Sequence, residues 1–304
     1  MLPAGGTELA ISNLHKHIDI NLLDGVNLIV NNVNPSSIKA GEINIFWNHL
    51  NFDQPAVQNL MDPSFISSID HIVFVSHWQY EKFRYRFPIP EEKCSVIKNA
   101  VATIELTPKP KKIKLIYTSM PWRGLELLLD AFELLDRSDV ELDIYSSTII
   151  YGSEFHNQAN ATYEAIFARA SEMKNVKYMG YAPNEDIRAA LLNAHIFAYP
   201  CIWEETSCIS AIEAAMAGLS LVTTNLGALY ETLSERPSPY VCWDSNRRNT
   251  IKNYAKRLNL AIDEFWGEST QERLVAQHNY FKRFWSWDRR VSEWERFLLE
   301  RRNA

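Results

Sequence analysis

Residues 200–218 read Pro200-Cys201-Ile202-Trp203-Glu204-Glu205-Thr206-Ser207-Cys208-Ile209-Ser210-Ala211-Ile212-Glu213-Ala214-Ala215-Met216-Ala217-Gly218. An apolar run at 195–199 stops at Pro200, two carboxylates follow, and from 207 to 217 the apolar residues recur at helical spacing until Gly218, a residue suited to a helix C-terminus. This is strand, loop and helix, with Thr206 or Ser207 placed to cap the first amides. Ligands of open parallel sheets bind beyond the carboxyl ends of the strands, where helix N-termini turn unpaired N–H groups toward phosphate. Loop 204–208 is thus placed for an anion. Glu213, on the side of Ile209 and Ser210, can reach the same mouth and accept hydrogen bonds from vicinal hydroxyls such as those of a ribose. Plainer roles fit too: Glu204 and Glu205 as partners of the helix dipole, Glu213 as a solvated helix position.

Outward from this stretch the same grammar repeats. Strand-like runs at 113–117, 140–145, 176–179, 219–223 and 240–243 alternate with helical patterns at 124–135, 161–173 and 185–192, which predicts a doubly wound α/β domain with a parallel sheet. The first hundred residues hold fewer such units: a helix at 7–17, strands at 26–30, 43–47, 72–75 and 95–98, and a helix at 78–87. Two Rossmann-like domains are expected, 1–107 and 113–280. They part at 107–112, where Pro108 and Pro110 break both periodicities and Lys109-Pro110-Lys111-Lys112 reads as a linker. Residues 281–304 should form an amphipathic helix that packs back toward the first domain, with Trp294, Phe297 and Leu298 at helical spacing.

The 304 residues leave room for two packed cores, and a balance of 31 basic against 37 acidic residues gives no broad positive field, which argues against general nucleic-acid binding. Cysteines at 94, 201, 208 and 242 show neither CxxC pairing nor a histidine at zinc spacing, and read as reduced buried thiols. No apolar run nears the ~20 residues of a membrane span, and residues 1–6 lack the features of a signal peptide. A cytoplasmic protein is expected, with at most peripheral membrane contact. Trp78, Tyr80, Phe83 and Tyr85 are the aromatic candidates for that contact, and ordinary helix packing is the alternative.

Two further loops share the sheet edge. In Thr118-Ser119-Met120-Pro121-Trp122-Arg123-Gly124 a basic residue stands at a helix start, where it is misplaced unless an anion neutralises it; a surface pair with Glu126 is the alternative. Thr223-Thr224-Asn225-Leu226-Gly227-Ala228-Leu229-Tyr230-Glu231 is again strand, small-residue loop and helix, so three loops are expected to converge on one site. In the first half, Gly5-Gly6-Thr7-Glu8 precedes a helix and could meet a phosphate, or could be a plain flexible start. His49, after a strand, should face the cleft, and Ser76 and His77 have the same placement.

Together these residues resemble the family-4 retaining glycosyltransferases. Glu205 and Glu213 look like their Glu-(seven residues)-Glu signature, and Asn99-Ala100-Val101 is similar to their Asn-Gly-Val before the linker. Gly180-Tyr181, residues 224–231 and Phe284-Trp285-Ser286-Trp287 also sit where that family has counterparts. The resemblance implies the GT-B fold, two facing Rossmann-like domains. Here the first is expected to be reduced, because only residues 1–4 precede Gly5 where the family has a strand. It also implies that Glu213 binds the ribose of a nucleotide sugar and that Glu205 faces the donor sugar. The amides of Thr206, Ser207, Cys208 and Ile209 would contact sugar and diphosphate, with Ser119, Gly180 and Tyr181 beside the nucleotide. Arg123 matches the family's diphosphate-neutralising residue, Gly5 and Gly6 its phosphate-side glycines, and His49 its cleft histidine. Two positions depart from the pattern: Thr118 stands where a second basic residue is common, and Thr206-Ser207-Cys208 replaces the usual small residues.

Glycosyl transfer develops positive charge on the sugar and negative charge on the departing diphosphate. The chain has no Asp-x-Asp-like pair after a strand, so Arg123, the helix N-terminus and the Gly5-Gly6 amides are expected to supply the positive potential without a metal or cofactor. A retaining transferase using a nucleotide-diphosphate sugar and a glycan, lipid-linked or small-molecule acceptor leads. One alternative is a nucleotide-sugar epimerase or phosphorylase of the same architecture; the other is a non-catalytic subunit that binds a nucleotide or a glycan. Sugar, base, acceptor and oligomeric state stay open.

Overall fold

The computed structural model describes residues 5–149, 153–233, 240–242 and 244–303. Helix α1 (Gly6–His17) leads into strands β1 (Val26–Ile29) and β2 (Ile43–Asn48). A short helix α2 (Pro63–Ser67), β3 (His71–Phe74), α3 (His77–Arg86) and β4 (Cys94–Val96) follow. The four strands are parallel and lie in chain order, β1-β2-β3-β4.

The second half runs β5 (Lys114–Thr118), α4 (Leu125–Leu135), β6 (Glu141–Tyr145), α5 (Ser153–Glu172), β7 (Val176–Gly180), α6 (Asn184–Asn193), β8 (Ile196–Tyr199) and α7 (Ile209–Met216). It continues with β9 (Ser220–Thr224), α8 (Leu229–Leu233), β10 (Tyr240–Val241), α9 (Arg247–Glu264), α10 (Glu268–Phe284) and α11 (Trp287–Arg302). All six strands are parallel in the order β10-β9-β8-β5-β6-β7, so the winding reverses between β5 and β8. Helices cover both faces, which is why β8 and β9 are buried along their whole length and read as unbroken apolar runs.

Strand bounds fall within two residues of the sequence reading, except that the last strand ends at Val241 and Trp243 lies outside the described residues. Residues 1–4, where the resemblance lacks a strand, also lie outside them. Helix α5 begins eight residues before the expected 161, through a polar stretch with no apolar period to reveal it. Helices α9 and α10 went unread, although Tyr254, Leu258, Ala261 and Ile262 carry a buried helical stripe. Helix α7 starts two residues later than expected and ends in a Schellman motif: Gly218 at φ +71°, with its N–H on the Ala215 carbonyl and that of Leu219 on Ala214.

The first sheet is completed by the far end of the chain. Trp287, Trp294, Phe297 and Leu298 of α11 pack with Ala10 and Leu14 of α1 and with Ile45, Trp47 and Val73 of the sheet. Val101 and Ser286 bridge where the chain recrosses. The basic run at 109–112 is more than a tether. Lys109 Nζ donates to the carbonyls of Leu191, Leu192 and Ala217, each at 3.1 Å, closing the C-terminal ends of α6 and α7. Its burial pulls the ammonium down to about 8.

All four cysteines are free, but only Cys201 and Cys208 are buried; Cys94 is half-buried and Cys242 exposed. Of the α3 aromatics, Phe83 is buried against Phe74 and Phe87, Trp78 and Tyr80 are half-buried, and Tyr85 alone is 94% exposed. Among the described residues no helix is long and apolar enough to cross a membrane.

Candidate active site

A cavity of about 580 Å³ lies between the two sheets, beyond the carboxyl ends of their strands. Its second-domain wall comes from the loops on either side of the winding reversal, those after β5 and β8, together with the loops after β6 and β7. There two neighbouring crossovers leave on opposite faces and a crevice opens. The β5 and β8 loops touch backbone to backbone. Gly124 stands at φ +118°, and a Cβ there would collide with the Pro200 carbonyl, so the position demands glycine. The Ile202 N–H meets the Arg123 carbonyl at 3.4 Å.

Glu205 is the centre of this junction. It is 4% exposed and lines the cavity. One carboxylate oxygen accepts from Arg123 Nη1 at 2.7 Å and from the Tyr199 hydroxyl, which in turn accepts from Ser119 Oγ at 3.4 Å. Burial pushes the Tyr199 phenol well above its ordinary value, so it stays a donor. Arg123 therefore pairs with Glu205 and not with Glu126, which Arg247 takes instead. Behind Glu205 the loop 224–231 serves as a buttress. Gly227, at φ +60°, bridges Glu205, a Cβ there would collide with the Glu205 backbone, and the Ala228 N–H donates to the Glu205 carbonyl at 2.6 Å. The convergence of three loops is thus corrected to two that line the cavity and one that holds them from behind.

That bridge lies just ahead of α7, which starts only at Ile209. Cys208 becomes the residue before the helix, with no side-chain cap, so neither Thr206 nor Ser207 caps it. Thr206 Oγ1 instead donates to the His49 carbonyl at 3.1 Å across the domains, and Ser207 Oγ is buried without a partner among the described residues. Thr206, Ser207, Cys208 and Ile209 still line the cavity, where an α-helix leaves its first amides without intrahelical partners.

Glu213 is a buried residue, 4% exposed, rather than a solvated one. Burial pushes its carboxyl up to about 7. Asn184, which the sequence reading missed, donates from Nδ2 to both carboxylate oxygens at 3.2 and 3.3 Å. The signal was its place in the first turn of α6, three residues beyond the cavity-lining Tyr181. Gly180 at φ +66° and Tyr181 line the cavity, as do Tyr145, Ser146 and Ser147 after β6, also unread.

The first domain supplies the opposite wall. Gly5 and Gly6 line it, but Gly5 precedes α1 and its N–H donates to Glu8 Oε2 at 3.0 Å, so a carboxylate occupies the amide that the sequence reading reserves for phosphate. His49 lies at the wall with the Trp47 ring centre 4.6 Å from its own, and burial lowers its imidazole to about 3, so it is neutral at pH 7. Asn51, Gln54 and Asn99 also line this wall. Ser76 and His77 do not reach the cavity. Ser76 caps α3, and His77 donates to Glu231 of α8 at 2.9 Å. The same carboxylate accepts from the His77 and Trp78 amides at 3.1 and 3.0 Å and pairs with Lys98 at 3.1 Å, joining the domains.

With this geometry in place, the relatives fall in one group. The chain is 27% identical over 230 residues to a subunit of human phosphatidylinositol N-acetylglucosaminyltransferase, covering 74% of this chain and 44% of that protein. It is 25% identical to the O-antigen chain mannosyltransferase B of Escherichia coli over 57% of this chain and 42% of that one. The chain thus spans under half the length of the curated relatives it matches. A glycosyltransferase crystal structure from Rickettsia africae aligns with TM-score 0.68 at 14% identity, over 98% of this chain and 82% of that one. Anabaena Alr3699/HepE in complex with UDP-glucose aligns with TM-score 0.66 at 14% identity, over 90% and 78%. These likenesses give the GT-B fold. Residues 101–274, more than half of the chain, match the family model described as glycosyl transferases group 1, and the chain belongs to that family.

Proposed function

We propose that this glycosyltransferase moves a sugar, with retention of anomeric configuration and without a metal, from a nucleotide-diphosphate sugar to a glycan, lipid-linked or small-molecule acceptor, as the family-4 enzymes do. The observation that carries the reading is the Arg123–Glu205 pair at the winding reversal, which lines the same cavity as the start of α7 and the buried Glu213. A guanidinium forks, so Arg123 can hold a carboxylate and a phosphate together. As the anomeric bond breaks, the diphosphate gathers charge against Arg123 and the first amides of α7, a preorganised stabilisation that costs no reorganisation at the moment of reaction. Glu205, fixed by Arg123 and Tyr199, faces the developing oxocarbenium and stabilises it through space. Glu213 accepts from the ribose hydroxyls, and neutral His49 accepts or donates a hydrogen bond to the donor sugar from the opposite wall.

The names of the relatives support a lipid-linked or glycan acceptor. The test is a panel of UDP, GDP and ADP sugars, with and without EDTA, read by NMR for transfer, hydrolysis and product anomer. A product of retained configuration that survives EDTA is expected. Binding without turnover across donors and acceptors would overturn the catalytic reading, and conversion of the donor without acceptor would point to an epimerase.

A further inference from the structure

Asn184 is the first residue of α6, its turn fixed by Asp186 and Ile187 amides on the Pro183 carbonyl at 3.0 and 3.1 Å. It is half-buried and lines the cavity, and its amide spans the two Glu213 oxygens at nearly equal distances. A buried carboxylate held by one amide group keeps lone pairs on both oxygens for further donors. We propose that Asn184 is a positioning residue for Glu213, aiming its carboxylate into the cavity and holding it in the ionised form that accepts hydrogen bonds from a vicinal diol. This rests on the reading of Glu213 as the ribose-binding group.

The balance at Glu213 is close. Burial favours the protonated acid, while the Asn184 bond and the charge of Arg188 on α6 favour the carboxylate. The elements packed against α7 also carry Glu185 and Asp186 on α6 and Glu231 on α8, Lys109 on the linker and His278 on α10 bond its C-terminal carbonyls, and Arg123 pairs with Glu205 at its N-terminal end. Protonation turns one acceptor oxygen into a donor, so a diol meets only one of the two acceptors it needs. Donor capture by this protein should therefore weaken as pH falls through neutrality, and Asn184 sets where.

The ligand-free readout is ¹³C-carboxyl NMR of glutamate-labelled protein, with the Glu213 signal assigned by its loss in Glu213→Gln. In Asn184→Leu the Glu213 midpoint is expected to move up by about one pH unit, the size of a hydrogen bond to a charged group. Whichever of UDP, GDP and ADP binds the wild type most tightly should bind this variant roughly fivefold more weakly at pH 7 and within about twofold of wild type at pH 9. Asn184→Asp keeps the shape, suits a helix N-terminus, and should raise the midpoint further. An unchanged Glu213 midpoint in both variants, or a binding loss equal at pH 7 and pH 9, overturns the positioning role. Undiminished nucleotide binding by Glu213→Gln would instead overturn the ribose reading, whatever the Asn184 midpoints show.

Discussion

The two sheets are built from the same parallel grammar, yet one makes a crevice and the other a wall. In the second, the strand order reverses between β5 and β8, and loops from both sides of the reversal carry Ser119, Arg123 and Glu205 to one point. In the first, the four strands run in chain order, so no neighbouring crossovers part. What it offers the cavity are the first turn of α1 with Gly5 before it, and loop residues such as His49, Asn51 and Asn99. Topology thus opens a crevice in one domain and leaves the other as its opposing surface before any side chain is considered. The two also differ in self-sufficiency. The second sheet has its own helices on both faces, whereas the first relies on α11 from the end of the chain for Trp287, Trp294 and Phe297.

That contrast can be broken at several points. The largest effect should come from Trp294→Ala, which opens a cavity under the first sheet and removes about 3–5 kcal/mol of stability. Urea unfolding should show the first domain lost ahead of the second, and a single uniformly weakened transition would mean that the sheets do not differ in this way. Next, Glu205→Ala should lower the turnover number roughly 10²–10³-fold while leaving nucleotide affinity within about threefold, because the loss falls on charge that develops in the transition state. A mainly affinity-based loss would move Glu205 from the reacting sugar to the nucleotide.

Glu213→Ala should do the reverse, weakening nucleoside-diphosphate binding roughly 10–100-fold with turnover at saturation nearly intact. The same residue has a stability signature. Its folded-state carboxyl is raised to about 7 from the ordinary glutamate value of 4.5, so the folded protein binds this proton more tightly than the unfolded chain does. The resulting contribution is fully present below about 4.5 and is lost as pH rises through about 7. Ligand-free Glu213→Gln should consequently melt higher than wild type at pH 8 and match it at pH 4.5, and equal melting at both would show that the group is not held against its charge. The smallest effect is expected from Glu231→Ala, about 1 kcal/mol from the lost helix-capping and ion-pair contacts, read as faster hydrogen exchange at the His77 and Trp78 amides.

Much of this was legible because parallel sheets advertise themselves: buried strands are unbroken apolar runs, and Gly218 marks the end of α7. Glu205 and Arg123 stood out by their position after strands and at helix starts, and Glu213 by its spacing from Glu205. What escaped was settled across long separations. Glu205 is bridged to Gly227, twenty-two residues on, and α7 starts only after that bridged loop, later than its own sequence suggests. Whether Arg123 pairs with Glu126 or Glu205 is decided by the Gly124–Pro200 contact and by Arg247 claiming Glu126. Asn184 was missed because an asparagine near a helix start usually serves local hydrogen bonds, and only the packing of α6 beside α7 turns it toward a carboxylate.

The Glu231 contact has an effect on the chain as a whole. At the start of α3, the Gln79 amide goes to Ser76 and the Tyr80 amide to the Ser76 carbonyl, while those of His77 and Trp78 go to Glu231, more than a hundred and fifty residues away. One domain therefore finishes a helix that the other begins. Any opening of the cleft that parts them leaves two amides to water, so the start of this short helix is tied to the closeness of the two domains.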